Sequence, residues 1–198
     1  SGVGATKCRY SGGAPGIAPR DRDPMFSVMH AAAPQVAGQI VDQLRDILAE
    51  TGVNPNALCL EITESLLVEG DQPFHAVLEQ IRNLGLNIHV DDFGRGYSSL
   101  SYLQSFPVDT LKIDSLFTRW LGNEGKSSEI VQTIVGLAKS LGMSVVAEGV
   151  ETATQLRKLA AIHCQYVQGY YLSEPLSQET AGELLLRHRK IYQPNQVP

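Results

Sequence analysis

Two adjacent carboxylates, Asp91 and Asp92, close an apolar run (Leu86, Ile88, Val90) and open a glycine-punctuated loop, Phe93-Gly94-Arg95-Gly96-Tyr97-Ser98-Ser99. Neighbouring ionised carboxylates repel, so such a pair needs a cation beside it or a proton on one member. Carboxylate oxygens suit hard divalent ions such as Mg²⁺ or Mn²⁺. An isolated Asp-Asp pair is more often a helix cap or a solvated turn. Recurrence is what distinguishes this one. Glu61 lies in another apolar stretch, Lys112 and Asp114 end a third, Glu148 follows a fourth and Gln168 a fifth.

The elements that must position these residues alternate. Strand patterns fall at residues 26–29, 57–62, 86–92, 110–113, 144–147 and 166–167. Helical periodicity fills the intervals. Val36, Ile40, Leu44, Ile47 and Leu48 share one face after Pro34, with Gly52 beyond them. Phe74, Val77, Leu78, Ile81 and Leu84 follow Pro73, and Gly85 stops that helix. Further helices are expected over 99–104 and 129–141, from a Thr152 cap to Leu159, and from a Ser177 cap toward Arg187.

Strand and helix in alternation imply parallel strands joined by crossover helices. No phosphate-cradling GxGxxG or GxxxxGK[ST] pattern supports an open doubly wound sheet. The expected fold is therefore α/β, a TIM-like (β/α) barrel of about six βα units, with its chemistry at the C-terminal strand ends. Glu61, Asp91, Asp92, Lys112, Asp114, Glu148 and Gln168 would then ring one mouth. Two metal ions about 3.5–4 Å apart at such a mouth can activate water and steady the leaving oxygen of a phosphodiester. Lys112 could orient that water, act as a base, or neutralise phosphate charge.

Composition sets the class. The 198 residues are 43% hydrophobic and 19% charged, which is ordinary for a globular domain. A net charge of −5 argues against sequence-independent nucleic-acid binding, so no DNA partner is expected. Cys8, Cys59 and Cys164 are odd in number and widely spaced, and buried thiols at Cys59 and Cys164 fit a reducing cytoplasm. No apolar run reaches membrane-spanning length. A membrane anchor of the whole protein would lie outside this chain, whose first residue, Ser1, suggests a piece of something longer. Residues 1–24, rich in Gly, Pro, Arg and Asp, read as a loop or disordered segment. Residues 25–190 read as the barrel domain and 191–198 as a frayed tail.

Read together, several segments resemble the EAL phosphodiesterases, bacterial second-messenger signalling domains. They are Glu61-Ile62-Thr63-Glu64-Ser65, Asp91-Asp92-Phe93-Gly94, Tyr97-Ser98-Ser99-Leu100, Leu111-Lys112-Ile113-Asp114, Ala147-Glu148-Gly149-Val150-Glu151 and Gln168-Gly169-Tyr170. The resemblance implies hydrolysis of cyclic di-GMP to linear pGpG with Mg²⁺ or Mn²⁺ in a two-metal site on a modified TIM barrel. It implies metal ligands at Glu61, Asp91 and Asp92, with Glu148 a further acid near the metals. It also implies that Lys112 holds the attacking water and Gln168 supports site and substrate. Glu64 would anchor the loop after the Asp pair, and Phe93, Gly94, Tyr97 and Ser98 belong to that loop, which couples dimerisation to metal binding. A homodimer, and regulatory or GGDEF-type domains elsewhere in the full protein, are further implications.

Three departures stand beside these matches. The Glu-Ala-Leu signature has no counterpart, Met29 stands where an Asn ligand is usual, and Arg95 replaces a small hydroxyl residue. A thioether is a poor ligand for Mg²⁺. The alternative function is therefore a degenerate member that binds the dinucleotide or a protein without turnover. A Mg²⁺ lyase of the enolase type ranks below both, because it leaves the loop after Asp92 unexplained. With roughly the last six of eight strands present, exposed sheet edges would favour self-association. The five histidines show no metal-ligand spacing and receive no catalytic role; His89 is expected to face the helical layer.

Overall fold

The computed structural model describes residues 26–28, 37–69, 72–96, 100–121, 127–177, 179–180 and 183. Six strands, β1 (Phe26–Val28), β2 (Leu58–Thr63), β3 (Asn87–Phe93), β4 (Thr110–Ile113), β5 (Ser144–Ala147) and β6 (Tyr166–Val167), form one sheet in chain order. All five neighbouring pairs are parallel. Between them run helices α1 (Ala37–Thr51), α2 (Glu64–Glu69), α3 (Gln72–Asn83), α4 (Leu100–Ser105), α5 (Ser115–Trp120), α6 (Ser127–Ser140) and α7 (Ala153–Ala161). This is the arc of a TIM-like barrel, as the alternation predicted.

The sheet has two unlike faces because side chains alternate along each strand. Leu60, Ile62, Ile88, Val90, Leu111, Ile113, Val145 and Ala147 join the core formed against the helices. Leu78 and Ile81 of α3, Val131 and Ala138 of α6, and Leu159 of α7 supply its other side. The opposite face carries Cys59, Glu61, His89, Asp91, Thr110 and Lys112, most of them polar or charged.

Local chemistry accounts for the starts of two helices. Thr152 and Gln155 form a reciprocal capping box at the start of α7, and Gln155 also donates to the Thr118 carbonyl at 3.2 Å. The Asp114 side chain accepts from Leu116 N–H at 2.8 Å and caps α5. Two helices were not anticipated. Both α2 and α5 span six residues and follow directly on a strand end, at Thr63 and one residue after Ile113, where the sequence reading placed only polar site residues. The predicted helix beyond Ser177 has its cap bond, Thr180 N–H to Ser177 Oγ at 3.3 Å. Most of that helix, like residues 1–24, Met29 and 191–198, lies outside the described residues. No described helix is long and apolar enough to cross a membrane.

Candidate active site

Parallel strands place all their C-terminal ends at one edge, and there the charged residues converge. Lys112 is fully buried at the end of β4. Its Nζ lies 2.6 Å from Asp91 Oδ1, 2.7 Å from Glu148 Oε1 and 3.0 Å from Glu61 Oε1. These acids come from β3, from the residue after β5, and from β2. Burial pulls the lysine pKa down, but Glu148, Glu61 and Asp91 outweigh it and hold the ammonium well above the usual lysine range.

Adjacent strand residues ordinarily point to opposite faces, so Asp91 and Asp92 need a local device to share one mouth. The register of β3 against β4 shifts between Val90 and Phe93, and Asp92 adopts φ +54°. This bulge turns the second carboxylate toward the first. Asp91, Asp92 and Glu148 consequently offer three oxygens within 4.8 Å of one another. An all-oxygen set fits a hard cation. Burial, a hydrogen bond with Asp114 and the neighbouring Asp91 charge together raise the Asp92 carboxyl above the ordinary range. Burial would raise Asp114 as well, but the Leu116 N–H, the bond with Asp92 and the Arg95 guanidinium hold it below. Arg95 Nε lies 2.9 Å from Asp114 Oδ2 and 4.0 Å from Asp92 Oδ1.

The loop after Asp92 is clamped by Glu64, whose Oε2 accepts from Gly94 N–H at 2.8 Å and Gly96 N–H at 3.3 Å. Phe93 is buried in the core. Gly94 has φ +99°, and a Cβ there would sit 2.6 Å from the Phe117 ring. Beyond β6, Gly169 packs so tightly on the Val150 backbone that any side chain would collide. That approach fixes Gln168 through Gln168 N–H to Ala147 O at 2.8 Å and Val150 N–H to Gln168 O at 3.0 Å. Its side-chain oxygen is buried without a partner among the described residues.

The EAL domain profile matches residues 19–175. The chain belongs to the EAL domain family. A relative from Pseudomonas aeruginosa, Cyclic di-GMP phosphodiesterase NbdA, is 41% identical over 150 residues, covering 76% of this chain and 19% of the relative. The solved PaMucR Phosphodiesterase in complex with c-di-GMP aligns with a TM-score of 0.73 at 37% identity, over 78% of this chain and 62% of that one. A Klebsiella pneumoniae BlrP1 complex with manganese and cyclic di-GMP aligns with a TM-score of 0.69 at 32% identity, over 76% and 39%. The chain spans between a fifth and about a quarter of the length of the curated relatives it matches.

Of the positions that the EAL resemblance singled out, Glu61, Asp91, Lys112 and Glu148 meet directly, and Asp92 joins them through its bulge. Glu64 contacts the loop backbone, and Gln168 lies at the end of the neighbouring β6. Tyr97 and Ser98 lie outside the described residues. The expectation for His89 is corrected. The register pairs His89 with Glu61, and with Cys59 they form a buried cluster whose ligand atoms fall within 4.8 Å. His89 therefore faces away from the helices, because it shares the parity of Asp91 rather than that of Ile88 and Val90. The i, i+2 spacing of Cys59 and Glu61 was the signal available in the sequence; the partner across the strand required the register. The ion pair of Arg95 with Asp114 was equally invisible, since it joins a loop to a helix cap.

Proposed function

We propose that this chain is a cyclic di-GMP phosphodiesterase domain that hydrolyses its substrate to pGpG with Mg²⁺ or Mn²⁺. The observation that carries this reading is the buried Lys112 ammonium held by Glu61, Asp91 and Glu148 beside the Asp91–Asp92–Glu148 oxygen cluster. Glu61, Asp91, Asp92 and Glu148 would hold two metal ions. When bound, such ions polarise the phosphate and lower the pKa of water. Lys112 keeps its proton while these carboxylates face it, which favours orienting water and offsetting phosphate charge over acting as a base. Gln168, whose buried side-chain oxygen has no partner among the described residues, supplies an acceptor for substrate or water. The Glu64 clamp holds the loop through Phe93 and Gly94 against the mouth, and by the EAL resemblance Tyr97 and Ser98 would take part in coupling that loop to a homodimer. The full protein would carry regulatory or GGDEF-type domains and work in the bacterial cytoplasm, on its own or tethered to a membrane.

The test is incubation of the chain with cyclic di-GMP and Mg²⁺ or Mn²⁺, followed by separation of pGpG. Product that appears with metal and vanishes in EDTA is expected; product that persists in EDTA overturns the reading.

One observation favours a second reading, dinucleotide binding without turnover. Arg95 engages both Asp114 and Asp92 and so competes with a cation for the second carboxylate. Calorimetric binding of cyclic di-GMP with no pGpG formed would select it.

A further inference from the structure

We propose that Cys59, Glu61 and His89 form a second cation site, selective for a borderline metal such as Zn²⁺, one layer below the acidic mouth. Strand alternation sets Cys59 and Glu61 on one face of β2, and the register sets His89 of β3 directly beside Glu61. A thiol sulfur, an imidazole nitrogen and a carboxylate oxygen thus lie within 4.8 Å of one another. All three residues are buried, at 0%, 9% and 1% exposure. Cys59 is fully buried on the sheet face turned away from the helices, the same face that carries Glu61 and His89.

The donor set decides the ion. Thiolate and imidazole are poor ligands for Mg²⁺ and good ones for Zn²⁺, whereas the upper cluster of Asp91, Asp92 and Glu148 is all oxygen. A tetrahedral zinc with bonds of roughly 2.0–2.3 Å holds its ligand atoms about 3.3–3.8 Å apart. Side-chain rotations that draw the cluster in by about 1 Å meet that requirement. Binding converts the Cys59 thiol to thiolate and releases its proton to solvent.

The two layers share Glu61, which also lies 3.0 Å from Lys112 Nζ. Zinc in the lower site draws that carboxylate from the lysine and from the mouth, and so lowers turnover. This consequence rests on the phosphodiesterase reading; the binding itself does not.

The experiment titrates the chain with Co²⁺ in excess Mg²⁺ and records cobalt–thiolate charge-transfer absorption. One equivalent is expected, displaced by Zn²⁺, retained in the C8S/C164S variant, lost in Cys59→Ser and weakened about tenfold or more in His89→Gln. X-ray absorption of the zinc-loaded C8S/C164S chain, which needs no change at the site, should show one sulfur among nitrogen and oxygen neighbours. Absence of the thiolate band, its survival in Cys59→Ser, or a zinc shell without sulfur overturns the proposal. A sulfur-bound zinc in a chain that yields no pGpG leaves the site standing and removes only the phosphodiesterase reading.

Discussion

The Lys112 ammonium lies 2.6 Å from Asp91 Oδ1 with no solvent exposure of its own side chain. A buried charge is tolerated only when paired, and this lysine occupies the centre of the acids as a built-in cation. Lys112→Met removes that charge and leaves Glu61, Asp91 and Glu148 facing one another. The variant is expected to lose about 3–5 kcal/mol of stability in EDTA, the usual cost of breaking a buried pair. Mn²⁺ should restore more of that loss than it adds to the wild type, because a cation then replaces the ammonium. Urea denaturation with and without the metal measures both.

Asp91 serves two partners, the lysine and the oxygen cluster with Asp92 and Glu148. Asp91→Asn keeps an oxygen for Lys112 and loses the charge that a divalent ion needs. Hydrolysis of cyclic di-GMP should fall about 100-fold or more, equivalent to ~3 kcal/mol of transition-state stabilisation, with secondary structure intact by circular dichroism. Undiminished hydrolysis would refute the site assignment.

Arg95 bridges the loop to Asp114 and reaches toward Asp92 from a half-exposed position. Arg95→Ser frees both carboxylates for a cation. Solvent already weakens an ion pair so placed, so the gain is modest. A severalfold tighter Mn²⁺ affinity by calorimetry is expected, and unchanged or weaker binding contradicts the competition.

Gly94→Ala tests the loop backbone. At φ +99° an L-residue is strained, and the new Cβ would meet Phe117 at 2.6 Å. Together these should cost about 2–4 kcal/mol. Adding Phe117→Leu should recover only the steric share, since the dihedral strain persists. Thermal melts of the single and double variants separate the two.

Cys164 gives a pH signature remote from the carboxylates. Burial pushes its thiol up from 9.0 to about 11. The native fold therefore favours the protonated thiol, and this contribution is fully present below pH 9.0 and lost as pH rises toward 11. The melting temperature of the wild type should fall more steeply between those values than that of Cys164→Ala. Parallel curves would contradict the buried-thiol account.

Much of this molecule was legible in its residues. The strands at 110–113, 144–147 and 166–167 coincide with β4, β5 and β6, because short apolar runs ending in Lys112, Glu148 and Gln168 leave little freedom in placing a strand end. Parallel alternation then sufficed to gather Glu61, Asp91, Lys112 and Glu148 at one edge. Local pattern could not supply what depends on register and on chain reversal. That Asp92 turns to the same side as Asp91 depends on a bulge set by pairing with β4. That His89 meets Cys59 and Glu61, rather than the helices, depends on which residue of β2 lies beside it. That Arg95 reaches Asp114 depends on a loop folding back over a helix cap. Sequence determined which chemical groups line the strand ends, since side-chain type and period are local properties. Tertiary structure decided which of them share a charge, because that depends on distances between segments far apart in the chain.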